Sequence, residues 1–446
     1  MLENDRSLWI DITELFGQFA LSNHPTGVSR VMINLVDALA AQHGSFFAKV
    51  QVLFWNPLTR MPLTFEGRGL GKLTEFFPAL RERYSRSGCT FSPMPSGMKK
   101  GLITSIPKPF RYRLFPHLNG VTHFLGWARQ VDLLMEPAQF TPEDCLFVPG
   151  SFWLDGYAAP LAKLARAEGA SVACFIHDVL LLSNPEWVAA RHVEQFRRGL
   201  EAFLPYCTAV ACNSAHTLAE LQRYTKLPPN VSIGVCRLAD RPQLALSAPL
   251  PEELADKRYV LLVSTMTPRK NHRLAILAWQ RLWRAHGEST PWLVFVGSGV
   301  PDRELADLLA QQDTFGGRLI RFTNMDDATL EAVYANSWIT LYPSLGEGYG
   351  LPVAEALARG KACLAMRSGA TSEIAPDLVD LIDSGDPEAL SNRIVSYLSN
   401  PRLLTSRERS IRTQYRTTGW DETASMVRCL LERAVVGCTQ SGIAAG

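Results

Sequence analysis

Short, continuous apolar runs alternate with longer stretches of helical period along nearly the whole chain. Ten of these runs read as strands: LWIDI (8–12), KVQVLFW (49–55), CLFVP (145–149), SVACFIH (171–177), TAVACN (208–213), YVLLVS (259–264), WLVFVG (292–297), RLIRF (318–322), WITLY (338–342) and ACLAM (362–366). They are continuous rather than alternating, the pattern of parallel strands buried on both faces. Between them, residues 28–43 place Val28, Val31, Leu35 and Leu39 on one stripe. Asn271 opens a second stretch with Leu274, Leu277 and Ala278 inward. The alternation predicts an α/β fold, with helices on both faces of doubly wound parallel sheets. Residues 239–257 (ADRPQLALSAPLPEELADK) are rich in proline and small residues, which suits a connection between two such domains. The expected organisation is a first domain over 1–240 with an insertion at about 60–120, a linker over 241–256, a second domain over 257–420, and a helix and tail over 421–446. Ligands are expected at strand carboxyl ends, in the cleft between the domains.

Composition narrows the function classes. The chain has 446 residues, 47% hydrophobic and 20% charged, enough to pack both cores. Lys plus Arg is 45 against 43 Asp plus Glu, a net charge of +2, so nucleic acid is not an implied partner. Nine cysteines are scattered without a Cys-x-x-Cys pair, several of them in apolar runs. That reads as buried thiols in a reducing compartment, with neither a zinc site nor a disulfide frame. The N-terminal MLENDRSLWIDI carries acids where a signal peptide needs bases, and no stretch approaches the ~20 apolar residues of a membrane helix. A cytoplasmic location is expected. One segment departs from the even balance. From Arg83 to Gln130 there is no Asp or Glu, while Arg83, Arg86, Lys99, Lys100, Lys108, Arg111, Arg113 and Arg129 are present. It reads either as a solvated insertion or as a contact with the anionic inner membrane or a phosphate-bearing acceptor.

Four segments carry candidate chemistry. PSLGEGYGLPVAEALARG (343–360) follows a strand and opens a helix. Gly348 and Gly350 allow backbone to approach a ligand, Pro352 suits the first helical turn, and the helix start favours an anion. Glu347 lies in the loop, pointing toward whatever the helix start binds. Glu355 lies about a turn further on and can accept from a diol. The alternative is an exposed loop glutamate and a surface Glu355 near Lys361. In STMTPRKNH (264–272), Arg269 and Lys270 can neutralise a diphosphate at a strand end, Arg through its fork and Lys as a point charge. Otherwise they are ordinary surface bases. His177, in FIHDV (175–179), ends a buried strand and can reach a sugar hydroxyl or simply be structural, with Asp178 orienting it or capping the next turn. Gly27, in PTGVSR (25–30), precedes a helix where backbone N–H groups can meet a phosphate, or forms a simple turn. No P-loop, zinc motif, Gly-x-Ser-x-Gly elbow or GxGxxG fingerprint is present. Asp326-Asp327 reads as a helix start, not a metal site.

Together these residues resemble a known family. EGYGLPVAE is similar to the Glu-x7-Glu signature of retaining glycosyltransferases of family 4, which have the GT-B fold of two Rossmann-like domains. TMTPRKNHRLAILAW resembles their Pro-Arg-Lys-Asn segment, with Ser264 where the family usually has glycine. HDVLLLSNPEW resembles their His-Asp stretch, and RFTNMDDATLEAVYANSWITLYPSLGEG matches their base-binding loop, helix and strand in order. The match is strongest over about 258–400, and TGVSR resembles a subgroup that builds bacterial surface polysaccharides, often from GDP-mannose.

The resemblance implies that Glu347 contacts the donor sugar and Glu355 the ribose. Arg269 and Lys270 would hold the diphosphate, and Gly348, Tyr349, Gly350 and Leu351 would bind phosphate and sugar through backbone N–H groups. Asn324 and Met325 lie where the family binds the base, and His177 would contact the sugar from the other domain. It implies a nucleotide-diphosphate sugar donor, a lipid-linked or oligosaccharide acceptor, and no cofactor or metal. A nucleotide-sugar epimerase on the same fold and a non-catalytic scaffold are the rival readings.

Overall fold

The structure, a computed structural model, describes residues 6–16, 27–42, 46–57, 59–65, 72–73, 75–76, 135–154, 156–241, 248–323, 325–383 and 385–443. The basic stretch 83–130 and Asn324 lie outside the described residues. The chain divides into two compact units. One comprises Met1–Asn213, Leu218–Arg237 and Trp420–Gly446; the other comprises Leu238–Gly419 with Ser214–Thr217.

The first unit holds β1 (Ser7–Asp11), β2 (Lys49–Asn56), β3 (Met61–Phe65), β4 (Met135–Pro137), β5 (Cys145–Val148), β6 (Ser171–Ile176), β7 (Ala209–Cys212) and β8 (Ser232–Val235). They form one sheet in the order β4-β3-β2-β1-β5-β6-β7-β8. β1, β2 and β5 to β7 run parallel, as their unbroken apolar runs predict, and β8 (SIGV), outside those runs, pairs parallel with β7. The edge differs from the expected parallel sheet, because β3 and β4 pair antiparallel. Their sequences, MPLTF and MEP, are short and carry proline, so they show no strand pattern. The β2–β3 turn closes with the Arg60 N–H donating to the Asn56 carbonyl at 2.8 Å, with Arg60 at φ +56°. Helix α1 (Val28–Ala41) buries Val31, Met32, Leu35, Val36 and Leu39 on one stripe. Helix Trp420–Ile443 packs beside it: Gln42 Nε2 donates to the Asp421 carbonyl at 2.6 Å, and a Cβ on Gly234 of β8 would stand 3.2 Å from Leu430 Cδ2.

The second unit holds β9 (Tyr259–Val263), β10 (Trp292–Val296), β11 (Leu319–Phe322), β12 (Ile339–Tyr342), β13 (Cys363–Met366) and β14 (Asp380–Ile382). All are parallel, in the order β11-β10-β9-β12-β13-β14. Strand order reverses between β9 and β12, so the loops after these two neighbours open beside each other at the sheet's carboxyl edge. Helices α2 (His272–His286), α3 (Asp327–Asn336) and α4 (Leu351–Ala358) follow β9, β11 and β12. Two large buried side chains of this core satisfy their polar atoms: Tyr259 OH donates to the Val333 carbonyl at 2.6 Å and Trp279 Nε1 to the Pro291 carbonyl at 2.7 Å.

Among the described residues, Cys145, Cys174, Cys207, Cys212, Cys236 and Cys363 are buried free thiols and Cys429 is exposed. No described helix is long and apolar enough to cross a membrane.

Candidate active site

Three loops at the carboxyl edge of the second sheet build one cluster. After β9, residues Pro268–Lys270 form a single 3-10 turn. Asn271 closes it in the left-handed region (φ +53°), and its side chain accepts from the Leu274 N–H to cap α2. This turn presents Arg269 and Lys270 toward the loop after β12. The two loops are joined by main chain as well: the Leu345 N–H donates to the Arg269 carbonyl at 2.9 Å. The third loop follows β13. There the Ala370 N–H donates to the Glu347 carbonyl at 3.1 Å, and Ser368 Oγ to the Ser344 carbonyl at 2.6 Å. Gly369, at φ +53°, is required at this crossing, since a Cβ there would stand 2.6 Å from the Glu347 carbonyl oxygen.

Glu347 is buried, contrary to the exposed-loop alternative. Its carboxylate is turned onto the cations. Oε1 accepts from Lys270 Nζ at 2.6 Å, Arg269 Nη1 at 2.7 Å and Ser344 Oγ at 2.5 Å. Burial alone would raise its pKa, but Lys270 and Arg269 together outweigh it and hold the carboxyl below its ordinary range. Lys270 also donates to Tyr342 OH at 2.8 Å, and Arg269 to the Gly346 carbonyl at 2.8 Å. These two bases are therefore not ordinary surface charges; the Lys270 side chain is 12% exposed. The cluster sums to one excess positive charge, which suits an anionic ligand.

The helix start lies beside it. Gly350, at φ +100°, precedes α4, and a Cβ on it would meet Thr371 Cγ2 at 3.0 Å. Its carbonyl accepts from the Val353 N–H at 2.9 Å, and Pro352 takes the first turn as expected. Gly348 is buried in the bend before the helix, and Leu351 is half-buried at its first position. Tyr349 is buried, with its OH donating to the Leu238 carbonyl at 3.2 Å. Glu355 is also buried, not a surface residue beside Lys361. Tyr334 OH donates to its Oε2 at 3.2 Å, while Lys361 Nζ goes to the Ser337 carbonyl. Met325 is half-buried immediately before Asp326, whose side chain accepts from the Thr329 N–H at 2.7 Å and caps α3. The sequence expectation of a helix start at Asp326-Asp327 holds.

In the first unit, His177 follows β6. Its Nε2 donates to the Pro149 carbonyl at 2.7 Å, and its own carbonyl accepts from Asn213 Nδ2 at 2.6 Å. Burial, the largest influence, lowers its pKa, which keeps the ring neutral with Nδ1 as its acceptor nitrogen. Asp178 caps the next turn, accepting from the Leu180 N–H. On neighbouring strand ends, Glu14 accepts from Ser151 N at 2.5 Å and Oγ at 3.2 Å. Gly27 precedes α1 at φ +54°, with open space where a Cβ would stand. Among the described residues no cluster of three or more His, Cys, Asp or Glu could hold a metal.

Sequence reasoning missed Ser344, Tyr342 and Tyr334, while Gly369 opens GATSE (369–373), which resembles the family's glycine-rich turn but implies no site role. Ser344 lies three residues before Glu347, but a serine in a loop carries no pattern. Tyr334 sits on a helix whose apolar period explains it as core.

Two largely parallel sheets, the second with its order reversing between β9 and β12, define a GT-B architecture, with a cationic cluster at a strand edge beside a glycine-led helix. Solved structures share this fold. The sucrose-phosphate synthase of Thermosynechococcus elongatus superposes with a TM-score of 0.57 at 17% identity, over 99% of this chain and 100% of that one. HepE of Anabaena, solved in complex with UDP-glucose, gives 0.55 at 15%, over 98% and 97%. Residues 251–417 match the family model of glycosyl transferases group 1. The curated relatives include the serotype-specific mannosyltransferase WbdA of Escherichia coli, 28% identical over 206 residues, 43% of this chain and 25% of that protein. O-antigen chain mannosyltransferase B of Escherichia coli is 26% identical over 231 residues, 50% of this chain and 60% of its own. The aligned part thus spans about a quarter of WbdA. The resemblance to glycosyltransferases of bacterial polysaccharide synthesis is borne out by these matches.

Proposed function

We propose that the chain is a retaining glycosyltransferase that moves mannose from GDP-mannose to a lipid-linked or oligosaccharide acceptor, at the cytoplasmic face of the membrane, in surface-polysaccharide synthesis. The observation that carries the reading is the convergence of Arg269, Lys270 and Glu347 beside the start of α4. The mannosyltransferase names of the relatives support the choice of sugar.

In this reading Arg269, Lys270 and the backbone of Gly348 to Leu351 receive the donor's diphosphate. Asn324 and Met325 border the base, and Glu355 accepts from the ribose hydroxyls. The bond between the anomeric carbon and the phosphate oxygen breaks as the two cations take up the charge gathering on the diphosphate. The acceptor oxygen bonds to the anomeric carbon from the same face, and its proton passes to the departing diphosphate. This route calls on fixed side-chain cations where other transferases use a metal, so the donor is the only cofactor-like species it needs. His177 offers Nδ1 to a sugar hydroxyl, an assignment that rests on the resemblance, and Gly27 offers backbone to a ligand from its place before a helix start.

A transfer assay tests it. The purified chain, given GDP-mannose and a lipid-linked acceptor, is expected to release GDP in step with glycan product. Glu355→Ala is expected to raise the donor KM about tenfold, the loss of roughly 1.4 kcal/mol of ribose binding, with kcat within twofold. GDP-mannose consumed without acceptor, or kcat and KM falling equally, contradicts these assignments.

A further inference from the structure

The carboxylate that lies between the two cations occupies the place a diphosphate would need. We propose that Glu347 competes with the diphosphate for Arg269 and Lys270, holding the pair in place when the site is empty and weakening the grip on nucleoside diphosphate product. The inference rests on the diphosphate role proposed above for these two residues. Its basis is that a single oxygen, Glu347 Oε1, takes Lys270 Nζ at 2.6 Å, Arg269 Nη1 at 2.7 Å and Ser344 Oγ at 2.5 Å. A diphosphate that engages the same nitrogens must share or displace these bonds.

The competition is built in rather than incidental. The Glu347 backbone is tied to the loop after β13 by the Ala370 N–H, which donates to the Glu347 carbonyl at 3.1 Å, and this anchor holds the carboxylate at the cations. Lys270 is steadied by Tyr342 OH at 2.8 Å, which keeps its ammonium in place for an incoming anion. The low pKa of Glu347 means that the carboxylate stays charged across neutral pH.

The charge has a directional effect. Free nucleoside diphosphate carries about one more negative charge than the diphosphate diester of a sugar donor, because its terminal phosphate is uncapped. Repulsion from Glu347 therefore falls more heavily on product than on donor. The residue favours exchange of spent nucleotide for fresh donor, beside any contact it makes with the sugar.

The test is calorimetric titration of the full chain and of Glu347→Gln with GDP and with GDP-mannose at one ionic strength. The amide keeps the shape and still accepts from Ser344 and Lys270, but removes the charge. GDP affinity is expected to rise about tenfold in Glu347→Gln, or ~1.4 kcal/mol, and GDP-mannose affinity by a smaller factor, while kcat falls. Added salt should narrow the gap between the two proteins. GDP binding unchanged or weakened in Glu347→Gln overturns the proposal. Failure of the wild type to bind any nucleoside diphosphate overturns instead the donor-site reading beneath it. If Glu347→Gln does not fold, as judged by circular dichroism, Glu347→Asp moves the carboxylate back from the cations. A rise of about threefold is expected there, and no rise overturns the proposal.

Discussion

Lys270→Met is expected to lower kcat by about 10²–10³-fold, the usual loss when one preorganised donor to a developing anion is removed. The methionine keeps the length of the stem and its packing over Tyr342, and deletes only the ammonium that now lies 2.6 Å from Glu347. The loss should appear mainly in kcat, because charge on the diphosphate grows as the sugar bond breaks, and less in KM. Arg269 remains to neutralise buried Glu347, so the fold should survive with a lowered Tm. Arg273→Ala is the comparison. Arg273 sits one position after His272, in an exposed pair with Glu304 at 2.6 Å. Exposed pairs of this kind contribute ~0–1 kcal/mol, so its turnover should stay within twofold. Steady-state kinetics of the two variants, with comparable losses in both, would remove Lys270 from the chemistry.

Gly369→Ala is expected to cost about 100-fold in kcat/KM through geometry alone. At φ +53° any L side chain is strained, and here the added Cβ would stand 2.6 Å from the Glu347 carbonyl oxygen and 3.1 Å from its nitrogen. That contact is relieved by shifting the two joined loops apart, which moves Glu347, and displacement of about 1 Å costs on the order of 10² in rate. Gly287→Ala isolates the strain. Gly287 has φ +50° with nothing within 4 Å of its would-be Cβ. Thermal unfolding should show a loss of a few degrees in both variants, ~2–4 °C for each kcal/mol in units of this size. Only Gly369→Ala should lose activity. Equal activity in the two would mean that the crossing of the loops after β12 and β13 does not set the site.

The ten predicted strands all form, because central parallel strands are buried on both faces and must be continuously apolar. What escaped prediction lies at the sheet edges. β4, β8 and β14 are edge strands of three or four residues such as MEP and DLI, with a partner on one side only, and β3 (MPLTF), paired with both β2 and β4 beside that edge, carries a proline. The candidate cluster was legible as two separate motifs, since glycines, a helix-start proline and paired cations have local causes. Its assembly was not. That Arg269 and Lys270 close onto Glu347 follows from β9 and β12 being neighbours, a fact of strand order that no local spacing encodes. The burial of Glu355 was equally hidden, because the Tyr334 hydroxyl that meets it comes from a different helix. The basic stretch 83–130 lies outside the described residues and stays an observation of sequence.

The most direct test of the donor site is thermal unfolding of the full chain with GDP, UDP and dTDP at equal concentrations, repeated with Lys270→Met. Ligand at a hundred times its dissociation constant stabilises by about 2.7 kcal/mol, which should appear as a rise of several degrees. The account predicts such a rise with GDP in the wild type and a smaller one in Lys270→Met. No rise with any of the three nucleotides, or a rise that Lys270→Met leaves intact, would contradict it.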